Sequence, residues 1–231
     1  MDFDNTLIDA LAPKARILVI TGAGISKASG LDTYRGVGGI WNTIDYEKVA
    51  TKEAYNNNPK EIAEYWKKMK TDCEKAEPNS AHITLAEMEK FYSKFQIITQ
   101  NVDELHQRAG SKNVLEIHGS LFRERQDAHN VGMPDIVLYR EQYSPTVLNT
   151  IIQFLNTIRP QAMIVIGTSC AIPLIGEIIM QSQLFKSTVI EINIEPTIPS
   201  FAVWKKIELK GKAEEVLPAL WGAIKEKYQN T

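Results

Sequence analysis

The chain has 231 residues, 44% hydrophobic and 23% charged, an ordinary globular composition that can fill one sizeable core. A net charge of −2, with acids and bases interleaved, argues against nucleic acid or a membrane surface as partner, and no apolar run reaches the ~18 residues of a spanning helix. The acidic start MDFDNTL lacks the cationic head of a signal peptide, and two cysteines, Cys73 and Cys170, fit a reducing compartment; the expectation is a cytoplasmic protein whose residues 1–231 form one domain.

In chain order, the first pattern is a short amphipathic helix with Leu7, Ile8 and Leu11 inward. Its DFDNTL, Asp2–Leu7, resembles the nucleophile motif of haloacid-dehalogenase-type phosphatases, but that motif needs a buried strand before its first aspartate, so the helix is preferred. Ile17–Thr21 (ILVIT) is apolar nearly throughout, as strands buried on both faces are. Glu61–Asp72 carries Ile62, Tyr65, Trp66 and Met69 on one helical face, with lysines and acids on the other. Pro78-Asn79-Ser80 supplies a turn and an N-cap for a further helix with Ile83, Ala86 and Met88 inward. Gln96–Thr99, Val114–Ile117, Met163–Ile166 and Val189–Ile192 repeat the buried-strand pattern, and Glu214–Tyr228 is a closing helix. Strands alternating with helices predict an α/β fold, a Rossmann-like doubly wound, mostly parallel sheet. Ligands of such sheets lie beyond the carboxyl ends of the strands.

The chemistry-bearing residues gather at those ends. Gly22 and Gly24 directly follow the first strand; glycine lets backbone approach a pyrophosphate, and N–H groups at a helix start bind its charge. Lys27 occupies the third-glycine position of a dinucleotide fingerprint, so the GAG reads equally as a tight turn. Ser29–Asn42 (SGLDTYRGVGGIWN) mixes glycines, Arg35 and aromatic rings, which suits a loop closing over a cofactor or a surface loop anchored by Trp41. Gln100, Asn101 and Asp103 follow the strand Gln96–Thr99; Asp103 also suits a helix cap, and His106 reads as a packing residue. His118 stands at a strand end, as a structural histidine or as a base.

GAGIS…SGLDTYRG (Gly22–Gly36), TQNVDELHQRAG (Thr99–Gly110), EIHGSL (Glu116–Leu121), GTS (Gly167–Ser169) and NIEPT (Asn193–Thr197) occur in the order found in sirtuins. From about Ile17 to the last helix the chain resembles that family of NAD-dependent protein deacylases. Its GVGGIW and DELH are most similar to the branch that includes sirtuins removing acidic acyl groups. The resemblance implies NAD as cofactor, an acylated lysine protein or peptide as partner, and nicotinamide and O-acyl-ADP-ribose as products. The backbone of Gly22, Ala23, Gly24 and Ile25 would cradle the pyrophosphate, and Tyr34 and Arg35 would belong to the cofactor loop. Gln100 and Asn101 would touch the nicotinamide ribose and Asp103 the carboxamide. Gly167, Thr168 and Ser169 would hold phosphate and adenosine ribose, Asn193 and Glu195 that same ribose, and Lys212-Ala213 the adenine. His118 becomes the general base. In the implied reaction the acyl oxygen displaces nicotinamide from C1′; imidazole, with an ordinary pKa near ~6.5, then takes a ribose hydroxyl proton so that the 2′-oxygen attacks the acyl carbon.

Three departures from the family pattern matter. The usual four-cysteine zinc module is missing: Ser120–Met133 is all that separates Gly119 from Pro134, and toward four tetrahedral ligands the segment offers only His129. No zinc is expected, residues 120–145 being a reduced remnant of the small domain, a short polar turn held by Met133 or Phe122 packing onto the large one. The family's Phe-Gly-Glu, which pairs with the acylated peptide, reads Tyr139-Arg140-Glu141 after Val137, so the arginine either crowds the peptide or contacts it. The Tyr-x-x-Arg pair with which desuccinylating relatives bind the acyl carboxylate aligns with Trp66 and Met69. That predicts a pocket for apolar or neutral chains unless Lys67, Lys68 or Lys70 compensates. Weakened peptide recognition leaves an NAD glycohydrolase or ADP-ribosyltransferase as the alternative. A nucleotide sensor without turnover fits the intact Gln100-Asn101-x-Asp103 and His118 less well.

Overall fold

The computed structural model describes residues 2–229. Its strands are β1 (Ile17–Thr21), β2 (Phe95–Thr99), β3 (Val114–Glu116), β4 (Gly119–Glu124), β5 (Pro134–Ile136), β6 (Ala162–Ile166), β7 (Thr188–Asn193) and β8 (Lys205–Lys210). Six of them form a parallel sheet in the order β3-β2-β1-β6-β7-β8, and β4 and β5 pair antiparallel beside it. The five expected strands are all present, within about a residue of their expected ends. The sixth strand of the parallel sheet, β8, is unexpected and reads KKIELK; lysines on an edge strand discourage pairing with another chain and hide the apolar pattern.

Every residue of β1 and β6 is buried, because helices cover both faces of the sheet. The helices are α1 (Asn5–Ala10), α2 (Tyr46–Val49), α3 (Lys52–Asn57), α4 (Pro59–Lys75), α5 (Ser80–Phe91), α6 (Leu105–Arg108), α7 (Pro145–Ile158), α8 (Pro173–Gln183) and α9 (Ala213–Gln229). Ile17 and Val19 face α1, α5 and α9 through Leu7, Leu85 and Leu217. Leu18 and Ile20 face α7 and α8 through Leu155 and Ile178. A third cluster joins α3 and α4 to the β4–β5 pair through Tyr55, Ile62, Trp66, Leu121 and Met133. No described helix is long and apolar enough to cross a membrane.

α5 begins where the Asn79 side chain accepts the Ala81 N–H and the His82 ring accepts the Asn79 N–H, a reciprocal cap. Its inward stripe is Ala81, Leu85 and Met88, all fully buried, at the i, i+4, i+7 spacing of one helical face. Ile83 falls on the opposite side and is 48% exposed, against expectation. The expected polar turn after His118 is instead the β4–β5 pair, with Met133 buried and Phe122 packed on the third cluster.

Candidate active site

The strand order reverses between β1 and β6, which opens a crevice at their carboxyl ends. Glycine is required there by close approach. A Cβ on Gly22 would stand 2.7 Å from the Thr168 Cβ, and one on Gly24 2.7 Å from the Gly167 Cα. The turns after β1 and β6 therefore lie in direct contact. Gly22 N–H donates to Ile166 O, Gly24 N–H to Gly167 O and Ile25 N–H to Gly22 O. Three of the four N–H groups expected to cradle pyrophosphate are thus used within the protein, while Ala23 lines a cavity.

Behind that turn is a buried polar network. The Ser26 hydroxyl donates to Asp103 Oδ2 (2.7 Å) and accepts from the Asn101 amide (3.1 Å), and Asp103 Oδ1 accepts the Leu105 N–H (3.0 Å). Burial pushes the Asp103 pKa up, while the Leu105 N–H and the Ser26 hydroxyl pull it down. His82 accepts at Nδ1, so its proton sits on Nε2, toward Ser26; burial holds its pKa down at about 4. The Thr21 hydroxyl donates to Thr99 and therefore accepts from His106 Nε2, 2.9 Å away. His106 is 1% exposed and, by burial, stays neutral.

His118 is held at both ring nitrogens. Nδ1 is 2.8 Å from Gln100 O, which can only accept, so Nδ1 carries the proton; Nε2 is 3.2 Å from the Tyr143 hydroxyl. Burial lowers its pKa and the Gln100 carbonyl raises it, with burial the larger effect. The Gln100 amide donates to Thr168 Oγ1 (2.9 Å) and to Thr21 O, tying the β2 end to the β6 end. Asn193 and Thr197 both donate to Thr168 O, at 2.9 and 3.2 Å. Ser169 and Glu195 are exposed; Lys212 is exposed and pairs with Glu215, while Ala213 is buried.

A cavity of about 610 Å³ runs from Ala23, Asn101 and Asp103 to Tyr65, Lys68 and Met69 of α4. Tyr34 lines it, its hydroxyl 3.6 Å from the Met69 sulfur. His118 and Arg35 are not among its walls; the Arg35 guanidinium lies over the Tyr139 ring, 5.8 Å from the centroid. Trp66 does not reach the cavity either. It is buried in the third cluster and gives its indole N–H to Val49 O at 2.9 Å. One residue turns a helix by about 100°, so the stripe facing the cavity is Tyr65, Lys68, Met69. Of the three candidate lysines, Lys67 reaches Glu64 and Val131 O, and Lys70 reaches Glu74 and the Phe122 ring. Lys68 faces the cavity.

The expected peptide contacts also fall differently. Val137 N–H donates to His118 O and Tyr139 N–H to Ala50 O, both at 2.8 Å. Arg140 adopts φ +68° and pairs with Glu47 and Glu53; Glu141 pairs with Arg125. The side chains of Arg140 and Glu141 are thus engaged within the protein, Arg140 in exposed pairs and Glu141 in a largely buried one. Among the described residues no group of three or more His, Cys, Asp or Glu is arranged to hold a metal. His129 packs against the Tyr55 ring instead, so the residues of this segment do not fit a structural zinc.

The Sir2 family model matches residues 22–130. The NAD-dependent protein deacylase of Pyrococcus furiosus is 35% identical over 240 residues, covering 91% of this chain and 93% of that protein. A mutant Sir2 homologue in complex with ADP ribose superimposes with TM-score 0.85 at 28% identity, over 97% of this chain and 98% of that one. A Sir2 homologue–NAD complex gives 0.83 at 27% identity, over 98% and 95% of the two chains. A Sir2 protein bound to a myristoylated histone peptide gives 0.74 at 27% identity, over 98% of each. With that identity across nearly the whole of both chains, and the same architecture beneath it, the chain belongs to the Sir2 family.

Proposed function

We infer that this NAD-dependent protein deacylase uses His118 as its general base and Asn101 with Asp103 as the platform for the nicotinamide end of the cofactor. One observation carries the reading. The Nδ1–H bond from His118 to Gln100 O leaves the lone pair on Nε2 and ties the ring to the carboxyl end of β2, the strand end from which Asn101 and Asp103 also follow. Burial keeps that imidazole neutral at physiological pH, as a base must be.

The residues suit NAD. Asp103 and Asn101 form a buried acceptor–donor pair on the cavity wall, the pattern a carboxamide needs, and the exposed Glu195 carboxylate suits ribose hydroxyls. NAD bound there would supply an electrophilic ribose C1′, to which the acyl oxygen of the lysine substrate would bond as nicotinamide leaves. His118 Nε2 then accepts a ribose hydroxyl proton, and Gln100 O keeps the ring from turning as it does so.

The α4 end of the cavity takes the acyl chain. Lys68 stands there as an exposed cation on the wall, so chains with a terminal carbonyl or carboxylate find a partner that Trp66 and Met69 do not offer. Residues 120–145, which hold all of the β4–β5 pair but Gly119, are the remnant of the family's small domain within a single catalytic unit.

Acetyl-, succinyl- and long-chain acyl-lysine peptides, assayed by mass spectrometry with and without NAD, test this reading. Deacylation that depends on NAD and is lost in His118→Ala is expected. A His118→Ala protein as active as wild type would falsify the base assignment, and nicotinamide release that is indifferent to the acyl peptide would point to a glycohydrolase.

A further inference from the structure

Tyr143 lies in the short segment between Glu141, clamped by Arg125, and Pro145, which opens α7. Its hydroxyl is 3.2 Å from His118 Nε2, and the two rings stack with centroids 5.9 Å apart and planes 20° apart. Since Nδ1 already gives its proton to Gln100 O, the Nε2 lone pair must accept the phenol proton. The atom that takes the ribose proton is thus already hydrogen-bonded in the free protein. A hydroxyl suits this place because it donates to neutral imidazole and accepts from imidazolium, so it holds the ring in both states. Burial, with Tyr139 and Glu177 nearby, raises the Tyr143 pKa and keeps it a donor.

We propose that Tyr143 is a positioning residue for deacylation: its hydroxyl fixes the rotation of the His118 ring and caps Nε2 until a ribose hydroxyl takes its place. The proposal rests on His118 being the base.

The test compares Tyr143→Phe and Tyr143→Ala with wild type and His118→Ala. In the free protein, 15N-histidine NMR should show the His118 Nε2 resonance moving downfield in Tyr143→Phe, as a lone pair loses its donor, with an unchanged melting temperature. Deacylation kcat should fall about three- to tenfold, with KM for NAD unchanged or lower. Nicotinamide exchange, which precedes the base step, should stay within about twofold. The proposal is overturned if the Nε2 resonance does not move, if Tyr143→Phe deacylates at the wild-type rate or faster, or if exchange and deacylation fall in parallel. An inactive His118→Ala beside a normal Tyr143→Phe sinks this inference alone; an active His118→Ala sinks the base assignment beneath it. Loss of folding confined to Tyr143→Ala leaves the Phe variant to decide.

Discussion

Arg125 and Glu141 meet fork to fork, one guanidinium nitrogen 2.8 Å from Glu141 Oε1 and the other 2.7 Å from Oε2. The same guanidinium lies over the Tyr55 ring and donates to Ile136 O, while Glu141 also accepts the Leu138 N–H. The Tyr55 hydroxyl in turn donates to Asp127 at 2.8 Å. One planar cation therefore joins β5, α3 and the segment leading to Tyr143. A bidentate pair of this kind fixes orientation as well as distance. It cross-links the β4–β5 segment to α3.

Arg125→Ala should lower stability by about 2–3 kcal/mol, since both side chains are only 15% exposed. That lies between the ~1 kcal/mol of exposed pairs and the ~3–5 of fully buried ones. At this chain length it corresponds to a melting shift of very roughly 5–10 °C. A strong chelator should leave the wild-type melting curve where it is. A chelator-induced drop, or an Arg125→Ala protein as stable as wild type, would remove the pair from this role.

Lys68→Ala should change acyl preference without changing stability, because the side chain is exposed. Losing one charge-assisted contact predicts about a tenfold or greater fall in kcat/KM for a succinylated peptide relative to an acetylated one. Trp66→Ala should do the reverse, destabilising by about 3–5 kcal/mol as a cavity opens and Val49 O loses its donor. Equal effects of Lys68→Ala on both peptides would show that the chain end lies elsewhere.

The parts of this molecule legible in sequence were those set by local pattern. β1, β2, β6 and β7 announce themselves as apolar runs, and the residues after them sit at the functional edge by topology alone. α7 is harder to see because its Thr, Val and Ile favour strands locally and only tertiary packing selects the helix. Met69 lines the cavity as expected, whereas Trp66 turns away and its neighbour Tyr65 faces the space instead, a phase difference of one residue decided by which face of α4 meets the third cluster. Nothing local marks Arg125 or Tyr143, since their partners lie 16 and 25 residues away. The buried histidines behind Asp103 left one trace, the Asn79 cap.

Those histidines should make the fold acid-labile. An unfolded histidine titrates near ~6.5, whereas burial holds native His82 at about 4. Above the first value neither state binds a proton. Between the two, the unfolded chain takes up a proton that the native one refuses, so stability falls as pH falls. The loss is on the order of 3 kcal/mol from His82 once pH drops below its native pKa. His106 acts in the same direction, and Asp103, whose carboxyl is raised by burial, in the opposite one. Urea midpoints between neutrality and mild acid should decline in wild type and flatten in His82→Gln. An unchanged slope in the variant would assign the acid lability to another group.

Glu191 and Lys206 form a pair 2.8 Å apart with side chains 1% and 5% exposed. Glu191 also accepts the Thr197 N–H (2.6 Å) and the Thr197 hydroxyl (2.8 Å), whose single proton it shares with the more distant Thr168 O (3.2 Å). The carboxylate thus shapes the 193–198 loop from beneath without facing the crevice. Glu191→Gln should cost about 3 kcal/mol, as Lys206 is left with the exposed Glu208. It should also weaken NAD binding about five- to tenfold through a looser loop, read by calorimetry. The double change Glu191→Leu with Lys206→Met separates the two effects. An apolar pair often restores stability where a buried ion pair stood, but it offers Thr197 no acceptor, so affinity should stay low. Recovery of NAD affinity together with stability would mean that the pair acts on the cofactor only by holding the sheet together.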